Sequence, residues 1–294
     1  LGDVYKRQIR TCDWLLENRA DKQINLVAIG GGIIQDITTF TSHIFHRGID
    51  WTFVPSTLLS QSDSCIGAKC GINLGKYKNQ LGVIHSPRRV LVVKEFLKTM
   101  PRELYESGLG EMIKLSVTGP KSFYGEFASK LKNGDLTLDS IFPFVHKSLL
   151  AKKEIIELDE YEIDLRRILN YGHTFGHALE SISRNEISHG IAVVFGMDIM
   201  NFLGHKWGFT EKDIYSDMNK LFKSLGFSRK VKFSVTPEQF IERILHDKKT
   251  INGIANFAIL RSIGDIFIYP KKIDEILSKE ISEYLSGQSI FTFA

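Results

Sequence analysis

The sequence predicts an α/β domain built on a parallel sheet, followed by a mostly α-helical domain. The chain has 294 residues, and at roughly 100–200 residues per domain this length predicts two domains. Short apolar runs alternate with turns in the first third, whereas helical periodicity dominates from about Pro101 onward. We therefore place the domains at residues 9–98 and 99–294.

The segment LGDVYKRQ, residues 1–8, is left out of both domains. It does not begin with Met and resembles a translated adaptor sequence, so we expect an artefact; a deliberately trimmed chain is the alternative. We also expect the N-terminal part of the α/β domain to be missing from this chain.

The elements of the first domain follow in order. Ile24–Ile29 is almost continuously apolar and predicts a buried strand. The glycines Gly30–Gly32 come next, and then Ile33–His46 shows apolar residues at helical spacing. Trp51–Val54 and Val90–Val93 are further strand candidates. A strand, a glycine turn, a helix and a strand form a βαβ pattern, which predicts parallel pairing.

Helices dominate the second domain. A first helix follows Pro101, with Leu104, Leu109, Met112 and Ile113 on one side. Further segments with helical periodicity are Phe142–Ile156, Arg166–Ile182, Ile191–Trp207 and Ile214–Leu225. A ligand site between the two domains is the default expectation for this organisation.

Composition excludes several classes of protein. With 43% hydrophobic and 24% charged residues, the chain matches an ordinary soluble globular protein. A net charge of +4 is too small to indicate nucleic-acid binding but suits a small anionic ligand. No apolar run approaches the roughly 18 residues of a membrane span. The three cysteines lack metal-type spacing and are expected to be reduced thiols of a cytoplasmic protein.

Two motifs point to chemistry. Glycines directly after a strand let a diphosphate approach the N–H groups that open the next helix, and Gly30–Gly32 has that context.

The second motif is a group of histidines. His173 and His177 stand four residues apart on one helix face, with His189 and the carboxylate Glu111 elsewhere in the helical domain. Two imidazoles and a carboxylate are typical of a catalytic metal site. Spacing alone leaves open which two histidines bind, and core histidines paired with the backbone are the alternative.

Cations accompany both motifs. Asn79 and three lysines crowd the glycine-rich stretch Gly67–Gly82, and other cations lie near the histidines and after Asp247. Each lysine taken alone is expected to be a solvated surface charge, whereas a cluster in a loop with few acids suits an anionic ligand. Glu162, four residues before Arg166, could simply pair with it on a helix.

The order of these motifs resembles the 3-dehydroquinate synthase family, within the sugar phosphate cyclase superfamily. The matching segments are Gly30–Asp36, His46–Gly48, Val54–Leu59, Asp63–Lys69, Lys78–Asn79, Leu97–Pro101, Gly108–Lys114, Leu165–Glu180, Ser188–Gly190 and Asp247–Lys249. The resemblance implies NAD in the α/β domain and a divalent metal, Zn²⁺ or Co²⁺, in the helical domain. It implies a lyase of the shikimate pathway that cyclises an anionic seven-carbon keto-acid sugar phosphate and releases phosphate.

The resemblance also implies residue roles. The implied metal ligands are Glu111, His173 and His189. The implied cofactor-binding residues are Gly31, Gly32, Ile33, Ile34, Asp36, Ser56, Thr57, Lys69, Lys78 and Thr99. The implied catalytic and substrate residues are Asp63, Asn79, Lys114, Lys152, Glu162, Arg166, Asn170, His177, Lys248 and Lys249, with Arg47 supplied by the second subunit of a homodimer.

Departures from the family pattern leave alternatives open. Gly110 replaces a usual alanine and Ser56 a usual threonine, and the loop Asn73–Asn79 differs from the family's usual pattern, which leaves the substrate open. Another cyclase acting on sedoheptulose 7-phosphate or glucose 6-phosphate is therefore one alternative, and a metal-dependent polyol dehydrogenase is a related one. An inert fragment that only binds a ligand or partner is the third; we expect the chain as given to bind NAD weakly or to aggregate.

Overall fold

The structure, a computed structural model, describes residues 4–74, 77–184, 186–227, 229–231, 233–247 and 250–294. The chain divides into two compact units, Leu1–Pro101 and Arg102–Ala294. Among the described residues, no helix is long and apolar enough to cross a membrane. Cys12, Cys65 and Cys70 are free thiols.

The first unit alternates helices and short strands. Its elements are α1 (Val4–Glu17), β1 (Asn25–Gly30), α2 (Gly32–Ile44), β2 (Asp50–Pro55), β3 (Ile72–Leu74), β4 (Tyr77–Leu81) and β5 (Arg89–Val90), with short 3₁₀ helices at Phe45–Arg47 and Lys94–Thr99 and a π-helical turn at Ser60–Ser64. Helix α1 begins at Val4 and buries Gln8 completely, so part of the segment set aside above takes part in the fold.

A parallel sheet of order β1–β2–β5 confirms the predicted βαβ unit. Strand β2 forms its centre, with Trp51 and Phe53 buried between sheet and helices. The predicted strand Val90–Val93 is shorter than expected, since pairing with β2 covers only Arg89 and Val90.

The prediction that the first strand is buried is wrong. In β1, Ala28 is buried, but Val27 and Ile29 are more than half exposed. Strand β1 is an edge strand, and only one of its faces is covered by packing within the described residues. Because successive side chains of a strand point to opposite faces, an apolar run can leave every second residue outside the core.

The second unit is mainly helical. Its elements are α3 (Arg102–Thr118), α4 (Lys121–Lys132), α5 (Leu138–Leu158), α6 (His173–Ile182), α7 (His189–Lys206), α8 (Lys212–Ser224), β6 (Arg229–Lys230), α9 (Pro237–Leu245), β7 (Ile254–Ser262), β8 (Asp265–Lys272), α10 (Glu275–Gly287) and β9 (Phe291–Thr292), with a 3₁₀ helix at Leu165–Asn170. The predicted helices at Phe142–Ile156, Ile191–Trp207 and Ile214–Leu225 are confirmed by α5, α7 and α8.

Helix α7 is the centre of the second unit. Every residue from Gly190 to Gly204 is buried, which is typical of a helix packed on all sides. Helices α3, α6, α8 and α10 and strand β7 pack around it. Two glycines permit the closest crossings: a Cβ on Gly190 would lie 1.8 Å from the Ser107 carbonyl oxygen, and one on Gly196 would lie 1.8 Å from that of Gly172.

Two expectations for the helical domain are wrong, and one element was missed. Arg166–Ile182 is not one helix, because Gly172 adopts a left-handed φ of 78° between the 3₁₀ helix and α6. Leu104 is 42% exposed, because it lies in the first turn of α3, before the continuously buried residues Ser107–Val117. The antiparallel hairpin β7–β8, whose strand β7 buries Phe257 and Ile259, was missed.

Candidate functional site

Three helices of the second unit bring a carboxylate and three imidazoles together. Glu111 lies on α3, His173 and His177 on α6, and His189 opens α7. The Glu111 Oε1 atom is 3.0 Å from His189 Nε2 and 3.5 Å from His173 Nε2. One ring nitrogen from each of the three histidines lies within 4.8 Å of those of the other two. Residues distant along the chain thus converge on one point.

Glycines bring these helices close enough for the residues to meet. Next to Glu111, a Cβ on Gly110 would lie 2.4 Å from the carbonyl oxygen of Gly190, the residue after His189. The Gly190 N–H donates to the Ser107 hydroxyl over 2.9 Å, which ties α7 to α3. In this backbone arrangement, a Cβ on Gly110 or Gly190 would require the backbones of α3 and α7 to move apart.

Both rings that face Glu111 have their second nitrogen engaged. His173 Nδ1 lies 3.2 Å from the Tyr171 carbonyl oxygen. His189 Nδ1 lies 3.0 Å from Glu180 Oε2. An acceptor at Nδ1 holds the proton there and leaves Nε2 as the ligating atom, the usual support of a metal-bound histidine. The sequence motif contains Glu180, but sequence reasoning assigned it no role; its spacing of three residues after His177 was the available signal.

Lys114 completes the electrostatics around Glu111. Its Nζ atom lies 2.7 Å from Glu111 Oε2, and both side chains are almost wholly buried. Burial opposes ionisation of Glu111, but Lys114 and the hydrogen bond from His189 outweigh it and hold the Glu111 pKa below its usual range. Burial disfavours the charged form of His189, yet Glu111 and Glu180 raise the pKa of His189 to about 9. Lys114 is therefore not the solvated surface charge expected for a lone lysine.

The geometry fits a tetrahedral divalent metal. Ligand bonds of about 2.0–2.1 Å at tetrahedral angles place neighbouring donor atoms roughly 3.3 Å apart. The separations of 3.0 Å and 3.5 Å from Glu111 Oε1 bracket that value. A buried carboxylate and two imidazoles also form the donor set that Zn²⁺ and Co²⁺ accept. His177 stands beside this group, its ring centroid 5.2 Å from that of His173.

Four further predicted residues of the second unit are Lys152 on α5, Glu162 before the 3₁₀ helix, and Arg166 and Asn170 within it. Arg166 and Lys152 are buried. The Arg166 backbone N–H donates to Asp159 Oδ2 over 3.0 Å, and its guanidinium donates to the Glu160 carbonyl. Glu162 lies outside any helix, with a φ of 60°, and accepts a hydrogen bond from the Asn170 side chain.

The glycine turn of the first unit opens α2 as predicted. Gly31 is the N-cap residue, and no side chain caps the helix. A Cβ on Gly32 would meet no atom within 4 Å, and Ile33 and Ile34 are exposed. The first N–H groups of a helix have no intrahelical partner, so this end can receive an anion. Thr57 flanks the turn, 3.0 Å from the position of a Cβ on Gly31.

Other predicted residues of the first unit occupy varied settings. Asp36 accepts a hydrogen bond from the Gly71 N–H over 3.2 Å, and burial raises its pKa to about 6. Asp63 is buried within the π-helical turn. The Lys69 backbone forms an isolated antiparallel β-bridge with that of Ile84. The Ser56 N–H donates to the Gly30 carbonyl oxygen, and Arg47 and Thr99 are exposed.

Four predicted residues are not covered by the described side chains. Lys248 and Lys249 lie outside the described residues, and for Lys78 and Asn79 only the backbone is described. Their proposed contacts with cofactor and substrate therefore stay predictions from the sequence.

Family models match almost the whole chain. The model of the 3-dehydroquinate synthase N-terminal region matches residues 4–107, and that of the C-terminal region matches residues 108–250. A 3-dehydroquinate synthase of Dictyoglomus turgidum is 36% identical over 284 residues, covering 96% of this chain and 78% of that protein. One of Campylobacter hominis is 36% identical, covering 91% of this chain and 78% of that protein.

Solved structures show the same fold. A 2-deoxy-scyllo-inosose synthase complexed with carbaglucose-6-phosphate, NAD⁺ and Co²⁺ aligns with a TM-score of 0.85 at 22% identity, over 94% of this chain and 79% of that one. A 2-epi-5-epi-valiolone synthase from Streptomyces hygroscopicus with NAD⁺ and Zn²⁺ aligns with a TM-score of 0.86 at 21% identity, over 95% and 78%. The family-model matches and the 36% identity to curated relatives establish that the chain belongs to the 3-dehydroquinate synthase family.

Proposed function

We propose that this chain is a 3-dehydroquinate synthase, which cyclises a seven-carbon 3-deoxy keto-acid sugar phosphate to 3-dehydroquinate and releases phosphate. The observation that carries the proposal is the convergence of Glu111 Oε1 with His173 Nε2 and His189 Nε2 at metal-ligand spacing. Relatives of that name at 36% identity support it. Two structural neighbours, each solved with NAD⁺ and a divalent metal, support both cofactors.

Glu111, His173 and His189 would hold the metal. A bound divalent metal supplies a Lewis acid, which lowers the pKa of a substrate hydroxyl and assists loss of hydride from the same carbon. Lys114 keeps Glu111 ionised and holds its second oxygen, so that Oε1 faces the histidines. With three protein donors, the metal would keep a coordination position open to substrate.

The N-terminal end of α2 would hold the NAD diphosphate on the N–H groups of Gly31, Gly32 and Ile33. Bound NAD supplies a hydride acceptor and then the donor of the same hydride, so it is not consumed. Because Gly32 has open space where a Cβ would lie, a phosphate can approach the backbone closely. The other residues assigned to this side are Ile34, Asp36, Ser56, Thr57, Lys69, Lys78 and Thr99.

Charge complementarity favours the keto-acid substrate. Lys152 and Arg166 would bind its carboxylate, and both cations are buried in the second unit. A sugar without a carboxylate leaves such groups without that partner, which costs about 1–3 kcal/mol in discrimination. The substrate phosphate is assigned to Lys69, Asn79, Lys248 and Lys249, with Arg47 from the partner subunit of a homodimer.

Polar residues beside the metal ligands would move protons and orient hydroxyls. His177 has a ring nitrogen within 4.8 Å of those of His173 and His189, close enough to exchange a proton with substrate there. Glu162 accepts from Asn170 and so orients that amide. Lys114 and Asp63 are assigned to the remaining polar contacts. Holding one substrate conformer for each step lowers the entropic part of the barrier.

Phosphate release tests the proposal. Because weak NAD binding is expected, soluble protein at saturating NAD⁺ and Zn²⁺ is supplied in turn with the seven-carbon keto-acid phosphate, sedoheptulose 7-phosphate and glucose 6-phosphate. We expect release from the keto-acid alone, and formation of a carbocyclic product. Release only from one of the two neutral-headed sugars would contradict the assigned substrate and assign the chain to another cyclase.

A further inference from the structure

We infer that Glu180 is the positioning residue that makes His189 a metal ligand, by fixing both the orientation and the protonated nitrogen of its ring. Glu180 lies on α6, three residues after His177 and seven after His173, so it shares their helix face. It is 5% exposed. This inference rests on the metal centre of the proposed function.

The contact defines the direction of the His189 ring. Glu180 Oε2 lies 3.0 Å from Nδ1, while Nε2 lies 3.0 Å from Glu111 Oε1. A carboxylate only accepts, so a proton is held on Nδ1 and Nε2 is directed towards the point where Glu111 and His173 meet. A metal bound there would displace the proton from Nε2.

The ring needs this support because packing alone does not hold it. His189 is the first residue of α7, and its side chain is 31% exposed, against 14% for that of His173. The torsion that turns an imidazole has a broad minimum, so an exposed ring samples many orientations unless a hydrogen bond selects one. His173 has a neutral acceptor, the Tyr171 carbonyl, whereas the Glu180 carboxylate also makes His189 a more basic ligand.

Glu180 is not required to join α6 to α7. These helices already cross closely at glycines, since a Cβ on Gly176 would lie 3.0 Å from the Ala192 carbonyl oxygen. Apolar residues on both helices, including Leu179 and Val193, are fully buried. A role limited to helix packing would therefore leave metal affinity unchanged when Glu180 is replaced by the isosteric glutamine.

Metal affinity provides the test. Full-length protein is stripped of metal, and its Zn²⁺ dissociation constant is measured by competition with a chromophoric chelator for wild type, Glu180→Gln and Glu180→Ala. Glutamine keeps an acceptor but loses the charge, so we expect about 10-fold weaker binding, and up to about 100-fold for alanine. The visible spectrum of the Co²⁺ form should change in both variants, because it reports ligand geometry.

Glu280→Gln is the matched control. Glu280 is similarly buried, at 9% exposure, and accepts from an aromatic N–H, Trp207 Nε1, over 3.0 Å. It should bind Zn²⁺ within about twofold of wild type. Wild-type affinity and an unchanged Co²⁺ spectrum in Glu180→Gln would overturn the inference alone. A wild-type protein that binds no Zn²⁺ would overturn the proposed metal centre and the inference with it.

Discussion

Replacing Lys114 by methionine should destabilise the metal-free protein far more than the Zn²⁺-loaded protein. Lys114 Nζ and Glu111 Oε2 are 2.7 Å apart, and their side chains are 4% and 1% exposed. Methionine keeps much of the volume but removes the charge, which leaves Glu111 as a buried carboxylate with its cationic neighbour gone. A bound divalent ion compensates the negative charge of the same carboxylate. The Zn²⁺-loaded variant should therefore lose much less stability than the metal-free variant.

The size of the effect follows from the burial of the pair. Breaking a buried ion pair by removing one partner costs about 3–5 kcal/mol. For a unit of this size, each kcal/mol lowers the melting temperature by about 2–4 °C, so the metal-free variant should melt about 6–20 °C lower. By thermodynamic linkage, the variant should also bind Zn²⁺ more tightly than wild type does.

The effect should depend on pH through His189. Its folded-state pKa of about 9 lies above the ordinary value of 6.5, so the stability it contributes is fully present below 6.5 and is lost as pH rises through about 9. In metal-free Lys114→Met, protonated His189 remains as a cation beside Glu111. The loss of melting temperature should therefore be greater at pH 9.5 than at pH 7.

Thermal unfolding followed by circular dichroism, with EDTA or with excess Zn²⁺, measures these differences. Lys132→Met is the control, because Lys132 pairs with Asp217 over 3.3 Å at the surface, where an ion pair is worth about 0–1 kcal/mol. An equal loss of melting temperature with and without Zn²⁺, or a loss no greater than that of the control, would refute the reasoning.

Four further outcomes are expected. Arg166→Met should abolish turnover of the keto-acid but keep its zinc, measured by elemental analysis; loss of zinc would show that its role is misassigned. His177→Asn should likewise retain zinc while turnover falls at least about 100-fold, and near-normal turnover would exclude it from proton transfer. Gly190→Ala places a Cβ 1.8 Å from the Ser107 carbonyl oxygen, so both zinc content and melting temperature should fall; an unchanged protein would contradict the helix crossing. Burial raises the pKa of Asp198 from 3.8 to about 6, so its contribution to stability should decline as pH rises from about 4 to 6. The unfolding free energy of wild type minus that of Asp198→Asn, measured by urea denaturation, should therefore fall over that range.

Local pattern predicted the parts of the fold that depend on neighbouring residues. The strand, glycine turn and helix around Gly31 follow from apolar runs and backbone freedom, and the structure confirms their parallel pairing. The same reasoning failed for the burial of β1, because whether Val27 and Ile29 are covered depends on what packs on that face of the sheet. It also missed the break at Gly172, where helical spacing continues through a left-handed residue.

For the candidate site, the sequence by itself determined the types of donor: a carboxylate, two histidines four residues apart and a third after a turn. The family resemblance implied Glu111, His173 and His189, but only the tertiary structure shows that Glu111 meets both histidines and that Glu180 contacts His189. Helical spacing determines which residues share one face of a helix. It does not determine which face of a neighbouring helix packs against that face. That choice is made by close packing, here where Gly110 and Gly190 let two helix backbones touch.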